Sequence, residues 1–105
     1  MSDTIRMRAM MHDGDVCEVR SLITHIMETG RREDPDTGEL VPAHFIQRFW
    51  AEHNGRTVMN SYWGPGVAAN PLVNFRFSGA ASGDTVTLNW VDSEGQEDSA
   101  STTIR

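Results

Sequence analysis

Residues Gly14 to Gly30 read GDVCEVRSLITHIMETG, and the alternation inside this stretch decides the fold. A turn at Asp13-Gly14-Asp15 opens onto a run in which Cys17, Val19 and Ile23 fall on one face and Glu18 and Arg20 on the other. Period two is the mark of a strand with one buried side. Beyond Ser21 the pattern blurs, because Leu22 and Ile26 put apolar groups on the Glu18 face with Thr24 between them. That blur predicts a bulge or a strand changing sheets. Upstream, Ile5, Met7, Ala9 and Met11 alternate with Arg6, Arg8 and Met10, a second strand of the same kind.

Working outward towards the C-terminus, Arg31 to Pro42 holds Asp, Pro, Gly and charges with few apolar anchors, and reads as an exposed loop or ribbon tip. Phe45 to His53 follows as a strand with large residues on both faces, Phe45, Phe49 and Ala51 against Ile46 and Trp50, so it is expected to be covered on both sides. Asn54-Gly55 is a type I′ hairpin signal, since both residues tolerate positive φ, and it predicts a return strand through Thr57 and Met59. Gly64-Pro65-Gly66 and Asn70-Pro71 mark a crossing loop. Beyond it Val73, Phe75 and Phe77 point inward, then Val86, Leu88 and Trp90, and finally Ala100, Thr102 and Ile104 after a type I turn at Asp92 to Gly95. Six or seven short strands at this spacing, with no helical stripe, predict an antiparallel β-sandwich of one domain, residues 1–105. The single cysteine excludes an antibody-type disulfide core.

Nine basic and fifteen acidic side chains give a net charge of −6, the wrong sign for a nucleic-acid binder and a poor one for anionic membranes. No run of 18 apolar residues could span a bilayer, so a soluble protein without nucleic-acid or membrane partners is expected. Cys17 alone cannot make an intrachain disulfide, a thiolate zinc cluster or a CxxC pair. The N-terminal MSDTIRMRAMMHDGD lacks the charged and apolar segments of a secretory signal, so the residues by themselves point to the cytoplasm.

Catalytic motifs are missing: there is no GxSxG elbow, Walker loop, GxGxxG or HExxH. Asp34, Asp36, Gly38 and Glu39 resemble a calcium loop only in part, because Gly38 and Glu39 stand where a third oxygen ligand and the turn glycine belong. His12, His25, His44 and His53 form no i, i+2 or i, i+4 pair, so spacing supports no metal site and no cofactor is expected. His25 stands out because it opens HIMETG at the end of a strand. Two alternatives stay open. A metal-binding redox module would draw on these histidines and on Met7, Met10 and Met11. A carbohydrate-binding sandwich would use Trp50, Tyr62 and Trp63 as a stacking platform.

GDVCEVRSLITHIMETG, FIQRF at Phe45 to Phe49, NGRTV at Asn54 to Val58, GVAANP at Gly66 to Pro71 and LNWVDSEG at Leu88 to Gly95 arrive in one order across nearly the whole chain. In this order they resemble the SoxZ family, subunits of the bacterial sulfur-oxidation system. The family pattern has proline where this chain has Ile26. The resemblance implies an all-β, immunoglobulin-like antiparallel β-sandwich and a non-enzymatic role. It implies a heterodimer with a SoxY-type carrier subunit, whose C-terminal Gly-Gly-Cys-Gly-Gly arm covalently holds thiosulfate-derived sulfur while other Sox enzymes make transient contacts. It further implies the periplasm, reached through the partner's signal, and self-association or lower stability when the chain is alone. Cys17 sits in strand sequence between Val16 and Glu18, and the closing STTIR reads as a strand, so this chain resembles the half that does not carry sulfur. The best-matching loop segments give the partner-binding candidates: Met27 and Pro71 for apolar contact, and His25, Glu28 and Asn70 for orientation.

Overall fold

The computed structural model describes residues 2–105. Seven strands form two antiparallel sheets: β1 (Ile5–Met11), β2 (Cys17–Ile23), β3 (Ile46–His53), β4 (Arg56–Tyr62), β5 (Leu72–Phe77), β6 (Thr85–Asp92) and β7 (Glu97–Thr103). One sheet has the order β1-β2-β5 and the other β4-β3-β6-β7. The chain therefore changes sheet between β2 and β3, β4 and β5, and β5 and β6, the Greek-key crossing of an immunoglobulin-like sandwich. The expected all-β sandwich is the observed one.

Both sheets turn their apolar faces inward. Ile5, Ala9, Cys17, Val19 and Ile23 from the first sheet meet Ile46, Phe49, Ala51, Val86, Leu88 and Trp90 from the second, all buried. Ile104, just past β7, is buried with them. Arg105 N donates to Ala9 O and Met11 N donates to Arg105 O, so the chain after β7 lies along the β1 edge and covers its backbone groups. Asn54 and Gly55 take φ of 48° and 85° between His53 and Arg56, the two positive values a type I′ hairpin requires. The Arg31 to Pro42 segment is exposed and folds into a ribbon closed by a Glu33–Leu40 bridge. Within it Asp34 Oδ1 accepts the Asp36 N–H, a turn device.

Two local expectations change. Strand β2 shows no bulge: it stays in register with β1 through Ile23 and with β5 through Leu22. Leu22 is outward because it faces Leu72 across the strands, which accounts for the apolar residue on the polar side. The chain departs only after Ile23, whose N–H donates to Pro71 O. Strand β3 is covered on one side rather than two. Its pairing with β6 slips between Ile46 and Arg48, and the extra residue, Gln47, rotates Ile46 into the core beside Phe49 and Ala51. Trp50 stays half-buried on the outer face, where the Arg48 guanidinium lies 4.2 Å from its ring centre. A second slip, between the Ala51–Met59 and Glu52–Thr57 pairs, lets Val58 and Met59 both touch the core.

Candidate functional site

The segment from His25 to Gly30 leaves β2 and turns sharply, with Met27 at φ 49° and Gly30 at φ 85°. The positive φ favours glycine at position 30, and a Cβ there would in addition make a tight 3.2 Å contact with Ala43 Cβ. The segment is tied on two sides. Glu28 N donates to His44 O and His44 N to Glu28 O, which brings the start of the long crossing to its end. His25 N donates to Asn70 Oδ1 and Asn70 N to His25 O, at 3.1 and 3.0 Å, which joins it to the β4–β5 crossing. Asn70 has φ 52°, a left-handed value that asparagine tolerates better than most residues. The five residues singled out from sequence are thus brought to one end of the sandwich, Pro71 through its carbonyl on Ile23 N.

Their exposure divides them. His25 and Met27 are buried, whereas Glu28 and Pro71 are half-buried and Asn70 is exposed. Met27 faces inward, its sulfur accepting the Ile46 N–H at 3.4 Å. Glu28 is gripped by Arg32 through Nε and a terminal nitrogen, the latter at 2.8 Å. This hydrogen bond outweighs partial burial and holds the Glu28 carboxyl below the usual carboxylate range, while Arg32 is pushed up.

Beneath these loops lies a group that sequence spacing could not reveal. Asp92, at the end of β6, has a side chain with no exposed surface. Its Oδ2 takes His25 Nε2 at 3.0 Å and His44 Nε2 at 2.7 Å. Its Oδ1 accepts the backbone N–H groups of Glu94 and Gln96 at 3.0 and 2.9 Å. Burial alone would raise the Asp92 carboxyl, but these four hydrogen bonds prevail and hold it below its ordinary value. The rings of His44 and Trp90 both lie edge-on to that of His25, with centres 4.9 and 5.2 Å away. His44 also reaches Glu94 Oε2 with Nδ1 at 3.4 Å, so it spans two carboxylates.

Two imidazoles and a carboxylate with ligand-type atoms within 4.8 Å of one another invite a metal reading. The hydrogen bonding opposes it. Met27 N donates to His25 Nδ1 at 3.1 Å, so the ring proton of neutral His25 sits on Nε2 and points at Asp92. A metal on Nε2 would drive that proton to Nδ1, directly against the Met27 N–H, whereas metal-bound histidines donate from their second nitrogen. The arrangement is a latch: one buried carboxylate fastens the His25 loop, the His44 segment and the β6–β7 turn.

The remaining candidates are dispersed. His53 Nε2 lies 2.7 Å from Asp84 Oδ2, and His12 Nε2 lies 3.3 Å from Glu18. Met7 and Met11 pack on the core, while Met10 pairs with Glu18, whose carboxylate meets arginines on the outer face. The three methionines therefore do not converge. Trp63 stacks on the inward Phe49 at 5.4 Å, Trp50 is outward beneath Arg48, and Tyr62 is 76% exposed, so the three rings share no platform. Cys17 is fully buried, and burial, reinforced by the Glu18 charge, pushes its thiol up.

Residues 5–103 match the family model described as Sulphur oxidation protein SoxZ. The chain belongs to the SoxZ family. It is accordingly a subunit of the sulfur-oxidation Sox system. No curated protein matches the chain. The family match spans all seven strands, and it includes His25, His44 and Asp92.

Proposed function

We propose that this SoxZ-family chain is the non-catalytic half of a periplasmic sulfur-carrier heterodimer, holding a SoxY-type subunit whose terminal cysteine bears thiosulfate-derived sulfur between Sox enzymes. The observation that carries the reading is the state of Cys17. Its thiol is fully buried and pushed towards the protonated form, which is the opposite of what a sulfur-accepting nucleophile needs. Ile104 is buried and Arg105 is hydrogen-bonded to β1, so the residues just past β7 are fastened to the sandwich. In this reading the partner contacts come from Glu28, Asn70 and Pro71 at the loop surface. His25 and Met27 act from inside by fixing the shape of that surface. Export with the partner's signal belongs to the same proposal.

The test is co-expression with a SoxY-type subunit, followed by size-exclusion chromatography with light scattering, melting curves and a reconstituted thiosulfate-oxidation assay. A stable heterodimer with a higher melting temperature than the chain alone is expected. Glu28→Ala combined with Asn70→Ala should weaken the heterodimer or enzyme docking more than it lowers the melting temperature. A chain that ignores the partner, or a Cys17→Ala variant that stays folded and bound yet cannot support sulfur transfer, would overturn the proposal.

A further inference from the structure

All nine basic side chains of this acidic chain are arginines, and four of them lie on one surface. Alternation places Arg6, Arg8 and Met10 of β1, Glu18, Arg20 and Leu22 of β2, and Leu72, Asn74 and Arg76 of β5 on the outer face of the three-stranded sheet. Arg6, Arg8, Arg20 and Arg76 are exposed. Glu18 is the one acid among these strand positions, so the face carries +3 and the remainder of the chain −9 out of the total of −6.

Glu18 is already committed. Its Oε1 takes Arg76 at 3.0 Å, and its Oε2 takes Arg20 at 3.1 Å and His12 at 3.3 Å. Among the described residues, no carboxylate lies within ion-pair distance of Arg6 or Arg8. Arg8 stands directly opposite Arg20 in the β1–β2 register, a like-charge cross-strand pair that costs stability in the isolated fold. Next to it Leu22 faces Leu72, and Leu72 is 73% exposed. A shallow depression opens here between Arg6, Arg8, Arg20, Leu22 and Leu72.

We propose that this face is a docking surface for an acidic segment of another protein, one that places carboxylates among Arg6, Arg8 and Arg20 and an apolar side chain against Leu22 and Leu72. Charge complementarity selects this occupant. Carboxylates relieve the Arg8–Arg20 repulsion, and guanidinium forks bind them in bidentate geometry. A nucleic acid would meet the −9 of the remaining surface at long range, and a small inorganic anion would leave the leucines uncovered. The surface lies on the strands themselves, and the inference holds whether or not the carrier reading is right.

The probe is a fluorescein-labelled peptide of glutamate and leucine, titrated into the full chain by anisotropy and mapped by amide chemical shifts. Saturable binding is expected, with shifts confined to β1, β2 and β5 and affinity falling as salt screens the charges. Arg8→Glu with Arg20→Glu should weaken it about tenfold or more, whereas Arg31→Glu with Arg56→Glu, which removes the same charge elsewhere, should change it by about twofold at most. The neutral pair Arg8→Gln with Arg20→Gln guards against misfolding: it should melt no lower than wild type, through relief of repulsion, and still bind the peptide more weakly. The idea is overturned by absence of binding, by shifts on other strands, or by equal loss in both charge reversals. It is overturned equally if sulfate competes as well as the peptide, which means a small-anion site, or if wild type self-associates through this face and the reversal abolishes it, which means a second copy is the occupant.

Discussion

Replacing Asp92 with asparagine separates the latch from ordinary core packing, because volume is kept while one acceptor becomes a donor. The amide oxygen can still accept from Glu94 N and Gln96 N, which leaves the –NH2 group where Oδ2 now meets both histidines. His44 can adapt by carrying its proton on Nδ1, which faces Glu94, and accepting with Nε2. His25 cannot, since Met27 N–H already occupies its Nδ1. The loss therefore concentrates on one buried N–H facing an N–H, plus the charge-assisted share of the His44 bond. At roughly 1.5–3 kcal/mol for a hydrogen bond to a charged group, the sum is about 2–4 kcal/mol. That is a large part of the roughly 5–15 kcal/mol that holds a domain together. For a chain of this size it corresponds to a fall in melting temperature of roughly 10–25 °C by calorimetry or circular dichroism. Asp92→Ala, which also strips the turn N–H groups, should cost about 3–5 kcal/mol. A double-mutant cycle with His25→Ala should give coupling above about 1 kcal/mol. If Asp92→Asn cost less than about 1 kcal/mol, no more than a single neutral hydrogen bond, the reasoning about the His25 tautomer would be refuted.

Two further expectations rest on titration and reactivity. The Asp92 carboxyl is depressed in the fold, so its contribution is complete above the unfolded value of about 3.9 and disappears as pH falls through the lower folded value. Melting temperatures taken from neutral to strongly acidic pH should therefore converge for wild type and Asp92→Asn only below about pH 4, and curves that stay parallel would count against the depressed carboxyl. Cys17 should resist a thiol reagent such as Ellman's until denaturant opens the core, and Cys17→Ala should cost about 1 kcal/mol; rapid labelling of the native protein would contradict its burial.

The parts of this molecule that were legible in the sequence are those in which a local period carries the information. Ile5 to Ala9 and Thr85 to Trp90 alternate without interruption, and both lie in regular strands. Asn54-Gly55 fixed its hairpin because positive φ is a property of the residues themselves. Reading failed where one extra residue breaks the count. Gln47 and Val58 carry no mark of a bulge, yet each reassigns its neighbours between core and solvent, as Ile46 shows. Leu22 misled for a different reason, since its partner Leu72 lies fifty positions away in the β2–β5 register.

The candidate site divides along the same line. HIMETG and AANP drew attention as segments, and the structure ties them together through His25 and Asn70. Their fastening to Asp92 was hidden, because His25, His44 and Asp92 come from three elements that only the sandwich topology brings side by side. One trace of it was present: aspartate opening Asp-Ser-Glu-Gly fits a turn whose carboxylate accepts its own downstream N–H groups. That role uses one oxygen. The second, enclosed at the end of β6, would be a buried acceptor without donors unless the crossing loops delivered them, and the two imidazoles remove that desolvation penalty. The geometry of the HIMETG loop is thus set by the need to bring an imidazole N–H to a carboxylate 67 positions away in the chain, and a change at either end should be felt at Glu28, Asn70 and Pro71 on the surface above.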